Sequence, residues 1–227
     1  MKTAILLINL GTPDAPNTAP VRKYLKEFLG DGRVIDINPV GRYFLVNGII
    51  APTRAPKSAR EYKKVWTENG SPLKIYLHEL VDKLQTKYGD DVDVYGAMRY
   101  QNPGLPEVMA EIEKKAYAQL IVMPLYAQYA SSTTGSTAQR VMEIMSKWEV
   151  IPSVNFINNF VMEEAYTDAV AKTAEGFDFN DYDKVVFSYH GVPVRHIVKT
   201  CKVPRLITVS SAYGCNQGSL PNLLWKT

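Results

Sequence analysis

Short apolar runs rich in β-branched residues alternate along this chain with amphipathic segments of helical period, and this alternation constrains the fold more than any other feature. Residues 3–10 (TAILLINL), 92–98 (VDVYGAM) and 119–126 (QLIVMPLY) read as strands, with a shorter one predicted at Val34-Ile35-Asp36-Ile37. Between them lie helical patterns. Residues 20–29 place Val21, Tyr24, Leu25 and Phe28 on one face, and residues 56–67 are strongly charged. Ser71-Pro72, a cap followed by proline, opens a helix carrying Leu73, Leu77, Leu80 and Leu84. A helix near 104–117 carries Val108, Ile112 and Ala116. Another, carrying Val141, Met142, Met145 and Trp148, follows the loop Ser131-Ser132-Thr133-Thr134-Gly135-Ser136. Strands alternating with helices imply α/β architecture: a doubly wound parallel sheet covered on both faces.

A second unit is expected from Ile151-Pro152. It comprises a strand over 153–158, a helix over 162–175, and an apolar run from Lys184 to His190 that Gly191 and Pro193 stop. Arg205–Ser210 is a further candidate strand. The predicted organisation is a first domain over 1–150, a thinner second over 151–199, and an atypical tail over 200–227.

Composition narrows the function classes. Among 227 residues, 46% hydrophobic and 22% charged content is ordinary for a globular protein, and a net charge of +3 is too small to argue for nucleic acid. Met1-Lys2-Thr3 leads into an apolar run too short for a secretory signal, and no stretch reaches the length of a membrane span. Cys201 and Cys215 make neither a metal-site spacing nor a disulfide framework. The expected location is the cytoplasm. All 23 acidic residues lie at or before Asp183, so the segment that follows is basic and acid-free.

Candidate chemistry gathers where strands end. A strand closing on His190-Gly191 delivers an imidazole to the C-terminal edge of a sheet, where open α/β folds bind ligands. The imidazole would accept a proton or bind a metal there; a strand-end histidine capped by a carbonyl is the plainer reading. Arg99 and Tyr126 occupy similar positions. The Ser/Thr loop at 131–136 opens a helix, which suits an anion or simple capping. Residues 39–50 (PVGRYFLVNGII) fit a core helix or an apolar lip, and Arg54, Arg60, Lys63 and Lys64 follow them. His78, mid-helix, and His196, past a turn, are read as incidental. No GxGxxG, GxxxxGKS, HExxH or GxSxG motif is present.

Several of these segments together resemble one family. Leu7-Ile8-Asn9-Leu10-Gly11-Thr12-Pro13, Gly70-Ser71-Pro72-Leu73, Met98-Arg99-Tyr100, Pro124-Leu125-Tyr126-Ala127-Gln128-Tyr129, Ser132-Thr133-Thr134-Gly135-Ser136 and Phe187-Ser188-Tyr189-His190-Gly191-Val192-Pro193 follow in the order of ferrochelatase motifs. The resemblance implies a chelatase fold of two Rossmann-like halves around a cleft, the second incomplete here. It also implies insertion of ferrous iron into a porphyrin, protoporphyrin IX or coproporphyrin III, in haem formation. His190 matches the proposed metal ligand or acceptor of pyrrole protons. Leu10 matches a position facing the macrocycle. Arg54 and Ser71 match positions near the propionates, and Tyr126 an aromatic at the cleft. Residues 39–54 match the apolar lip, and a peripheral membrane contact through 39–50 is implied. Iron is substrate, no cofactor is required, and no iron-sulfur cluster is expected: Ser131 stands where some relatives carry a cysteine. A cobalt-inserting relative shares the fold, but the GTP, STTG and SYHGVP motifs fit the iron enzyme better.

The chain also departs from the family. The motifs fade at Lys199-Thr200. Family members are longer, and their last third carries an acidic residue opposite the histidine. The expectation is therefore a truncated or frame-shifted ferrochelatase lacking that acidic partner, with impaired iron insertion. The alternatives are a non-catalytic porphyrin-binding module and an inactive fragment.

Overall fold

The computed structural model describes residues 2–186, 188, 190–194 and 196. Four strands, β1 (Thr3–Gly11), β2 (Val92–Tyr100), β3 (Gln119–Pro124) and β4 (Ser153–Phe156), form one sheet in the order β2-β1-β3-β4. Every pairing is parallel, with Ile5 opposite both Val94 and Ile121, and Ile121 opposite Asn155. The strong apolar runs thus become strands, and β1, apolar on both faces, lies inside the sheet. Leu6, Leu7 and Ile8 are fully buried because alternate side chains enter different cores.

On one face Ala4, Leu6, Ile8, Leu120 and Val122 pack against Leu105, Val108, Met109 and Ile112 of α5 (Leu105–Lys114) and Val141 and Met145 of α6 (Ser136–Met145). On the other, Leu7, Val94 and Met98 meet Leu73, Leu77, Leu80, Val81 and Leu84 of α4 (Pro72–Tyr88). A third cluster joins Val21 and Leu25 of α1 (Thr18–Gly30) to Ala55, Ala59 and Tyr62 of α3 (Ala51–Val65).

Residues 39–65 run as successive helical segments: α2 (Pro39–Phe44), a π-helical turn (Leu45–Ile50) and α3. Pro52 and Pro56 supply no N–H to the helical ladder, which favours a wider turn just before them. Thr53 Oγ1 donates to the Ile49 carbonyl at 2.6 Å, recovering one acceptor there. Among the described residues, no helix is long and apolar enough to cross a membrane.

Three expectations are corrected. Residues 34–37 form no strand: the Val34 and Ile35 N–H groups donate to the Asp31 carbonyl at 3.1 and 3.0 Å, closing a turn and removing donors from any ladder. The strand expected to open a second domain at 151 instead pairs with β3, and the first compact unit comprises Met1–Tyr126 and Ser132–Asn158. The described residues from Lys184 to His190 adopt no strand. A strand requires a paired neighbour, and the described residues of the second unit, Ala127–Ser131 and those after Asn158, contain none. They form α7 (Glu164–Lys172) and a 3-10 turn (Phe179–Asp181). Cys201, Cys215 and Arg205–Ser210 lie outside the described residues.

Candidate functional site

The C-terminal edge of the sheet is shaped by β1, which must end closely against β2. Gly11, with φ of +112°, lies where a Cβ would come 2.0 Å from the Tyr100 carbonyl oxygen, so only glycine fits. Strand order reverses direction between β1 and β3, and ligand crevices of open parallel sheets form outside such points. Leu10, half-buried, ends one side of that reversal. Tyr126 follows the other, beside Leu125, whose N–H donates to the Ile8 carbonyl at 2.7 Å.

The loop after β1 is held from several directions. The Ser71 hydroxyl donates to Thr12 Oγ1 at 3.0 Å, a contact in which both residues are buried. Asp14 accepts from Lys74 Nζ at 3.0 Å and from Asn102 Nδ2 at 2.9 Å. Ser71 is therefore engaged within the protein, at the head of α4. Arg54 is exposed on α3.

Beside this loop sits a polar cluster built on Asp31, at the C-terminal end of α1. Its Oδ2 accepts from Arg99 Nη2 at 2.7 Å, from the Tyr100 hydroxyl at 2.8 Å, and from Ser136 Oγ. Its Oδ1 accepts the Arg33 N–H at 2.7 Å. Arg99 Nε also donates to Ser136 Oγ at 2.9 Å, and its guanidinium lies 4.5 Å from the Tyr100 ring centre. The Asp31 and Arg99 side chains are only 10% and 14% exposed. Burial pulls the Asp31 carboxyl upward. The hydrogen bonds from Ser136, the Arg33 N–H and Tyr100, with the charge of Arg99, outweigh burial and hold it below the ordinary value.

Against this saturated cluster, neighbouring polar atoms lack partners. The buried Tyr126 phenol oxygen and the hydroxyls of Thr134 and Thr137 complete no hydrogen bond, nor does Gln101 Oε1 in the loop after β2. Thr134 closes a π-helical turn, Ser131–Gly135, that runs into α6. Burial pushes the Tyr126 phenol up to about 12, opposed by the nearby Thr137 hydroxyl and the Arg99 charge. These donors and acceptors could serve a polar group entering at this edge.

Of the residues singled out in the sequence, the structure places Leu10, Ser71, Tyr126 and Arg99 at the strand ends and helix start of the first unit. His190 belongs to the second unit and is exposed, as is His78 on α4, while His196 is buried. Among the described residues, no three His, Cys, Asp or Glu side chains gather to hold a metal ion. Asp31, Thr137 and Gln101 escaped the sequence reading. Asp31 had one weak signal, an acid directly after the Gly30 that ends a helical pattern; the other two had none.

The family model described as Ferrochelatase matches residues 2–213. The chain is 40% identical to a ferrochelatase of Legionella pneumophila over 218 residues, covering 96% of this chain and 65% of that protein. It is 42% identical over 204 residues to one of Alcanivorax borkumensis, covering 87% and 60% of the two chains. It is 42% identical over 203 residues to Ferrochelatase 2 of Shewanella oneidensis, covering 86% and 62%. The chain thus spans 60–65% of the length of these relatives. The family match passes Lys199-Thr200, correcting the expectation that resemblance ends there: residues 200–213 align with the family.

Proposed function

The chain belongs to the ferrochelatase family, and on that footing we propose that it inserts ferrous iron into a porphyrin, protoporphyrin IX or coproporphyrin III, as in haem formation. The observation that carries this reading is the family match over residues 2–213, which includes every motif-bearing segment from β1 to His190. The first unit adds physical support: a parallel-sheet edge at a strand-order reversal, where Leu10 offers apolar surface and polar atoms around Tyr126 are left without partners.

Each residue takes a stated part in this reading. Insertion removes two pyrrole protons as the metal enters, so charge balances when Fe2+ replaces two H+. An imidazole is a suitable acceptor, and His190 is assigned that step or a bond to the incoming metal. Leu10 lies against the macrocycle and Tyr126 at its margin. Arg54, an exposed cation on α3, pairs with a propionate. Ser71 lies near a propionate through the rigid α4 start that its bond to Thr12 fixes. Iron enters as substrate, and no iron-sulfur cluster is assigned.

The segment over 39–50 is assigned to the apolar lip. Val40, Tyr43, Phe44 and Ile49 are each more than half exposed, with Arg54 and Lys57 following. Exposed apolar surface flanked by cations suits a flat hydrophobic ligand with carboxylates, or a peripheral contact with a membrane.

The test is porphyrin metalation by this chain against His190→Ala, followed in the Soret band. The expected result is metal insertion by the wild type and loss of at least about a hundredfold in the variant. A Soret shift on binding without metalation in the wild type would reduce the protein to a porphyrin binder. No spectral change at any concentration would overturn the reading.

A further inference from the structure

We propose that Asp31 is a positioning residue of the sheet edge, acting through Arg99 and Ser136 to set the surroundings of the Tyr126 phenol. A single oxygen, Oδ2, accepts from Arg99, Tyr100 and Ser136, while Oδ1 takes the Arg33 N–H. The carboxylate thereby joins the end of α1, the end of β2 and the first residue of α6. None of these segments adjoins another in sequence; the carboxylate joins all three, beside the direct bonds of Arg99 Nε and the Tyr100 hydroxyl to Ser136 Oγ.

Consequences for the edge follow from what the partners carry. Arg99 is forked between Asp31 and Ser136 at the C-terminal end of β2, the same edge of the sheet that Tyr126 occupies just after β3. Ser136 is adjacent to Thr137 and two residues from Thr134, whose hydroxyls are buried without partners. Packing alone would tolerate small displacements of these polar groups. An oriented fork and a charge-assisted acceptor do not. No hydrogen bond among the described residues joins Asp31 to Tyr126, so the effect passes through the two intermediates. The role in substrate binding rests on the ferrochelatase reading; the structural coupling does not.

Both parts are tested together by labelling the chain with 3-fluorotyrosine and recording 19F spectra. One of the 14 tyrosine resonances is assigned to Tyr126 by its loss in Tyr126→Phe. Asp31→Asn and Ser136→Ala are then compared with the wild type, each checked for a cooperative thermal transition. We expect the Tyr126 resonance to move or broaden in Asp31→Asn and, by less, in Ser136→Ala. Porphyrin dissociation constants should rise by about tenfold, the scale of one lost hydrogen bond to a charged group. A carboxylate that only stabilises the fold would lower the melting temperature and leave Tyr126 and porphyrin affinity unchanged in the folded variants; that result overturns the proposal. Should Asp31→Asn fail to fold, Ser136→Ala alone decides. If Tyr126 moves but the wild type binds no porphyrin, the ferrochelatase reading falls and the positioning role stands.

Discussion

The two ends of the parallel sheet each carry a carboxylate clamped by several donors, yet they differ in what surrounds it. At the N-terminal edge Asp93 accepts from Lys2, Lys115 and the Tyr117 hydroxyl, and Tyr117 and Tyr95 share a bond of 2.6 Å between hydroxyls. At the C-terminal edge Asp31 is as well supplied, but Tyr126, Thr134, Thr137 and Gln101 close by have polar atoms without partners. Among the described residues, none of the unpartnered buried atoms belongs to the Asp93 cluster. One end of the sheet is a finished structural closure, and the other leaves hydrogen-bonding capacity unused. Native proteins rarely leave buried polar groups unpaired, so the contrast agrees with the proposal that a ligand is taken at the C-terminal edge.

The strongest way to break this comparison is at Gly11. Gly11→Ala drives a Cβ into the Tyr100 carbonyl at a left-handed φ. It should cost about 3 kcal/mol or more, read as a large drop in melting temperature or loss of soluble protein. A comparable effect from a substitution at the Asp93 end would erase the asymmetry.

Next in size is the acid response of the Asp93 end. Hydrogen bonds from Lys2 and Tyr117 hold its carboxyl at about 2, below the ordinary 3.8. A folded-state value below the unfolded one stabilises above the unfolded value and is lost as pH falls through the folded one. The Asp93 contribution is therefore present at neutral pH and fades between 3.8 and about 2. Its lysine partners are about half exposed, so screening limits the effect to about 1 kcal/mol. Asp93→Asn should lower stability at pH 7 and match the wild type near pH 2, as measured by urea melts at both values. An equal deficit at both pH values would show that charge is not the cause.

The smallest effect is the most telling. Thr137→Val keeps the shape and removes a hydroxyl that has no partner. It should be neutral or stabilise by up to about 1 kcal/mol in thermal unfolding. The same hydroxyl removal in Ser136→Ala, which loses a bridge between Arg99 and Asp31, should destabilise instead. Equal effects would mean that Thr137 is as well satisfied as Ser136, and the C-terminal edge would lose its distinction.

Much of the fold was legible because periodicity reports burial. TAILLINL is apolar on both faces and becomes an inner strand; the α4 leucines recur at helical spacing and meet that strand. Legibility failed where partners decide. Val34–Ile37 has strand composition, yet the Val34 and Ile35 N–H groups return to Asp31. Ser153–Phe156 has the same composition and finds β3, so it joins the first sheet. Composition can supply a strand former, but only a neighbour supplies the ladder. Within the site, Leu10, Ser71, Arg99 and Tyr126 were readable as strand-end or cap positions. Asp31 was not, because its three Oδ2 partners come from residues 68 to 105 positions away.

The sequence by itself determined the α/β class, the central strand, the principal helices and, through ordered motifs, the ferrochelatase family. These are properties of local pattern and of motif order, which a chain carries before it folds. Tertiary structure alone decided which strand joins which sheet and that Ser71 bonds to Thr12. It also decided that one carboxylate gathers Arg99, Tyr100 and Ser136 while Tyr126 and Thr137 stay unpaired. Hydrogen-bond partnership between distant segments depends on distances and angles set only when helices and sheet pack.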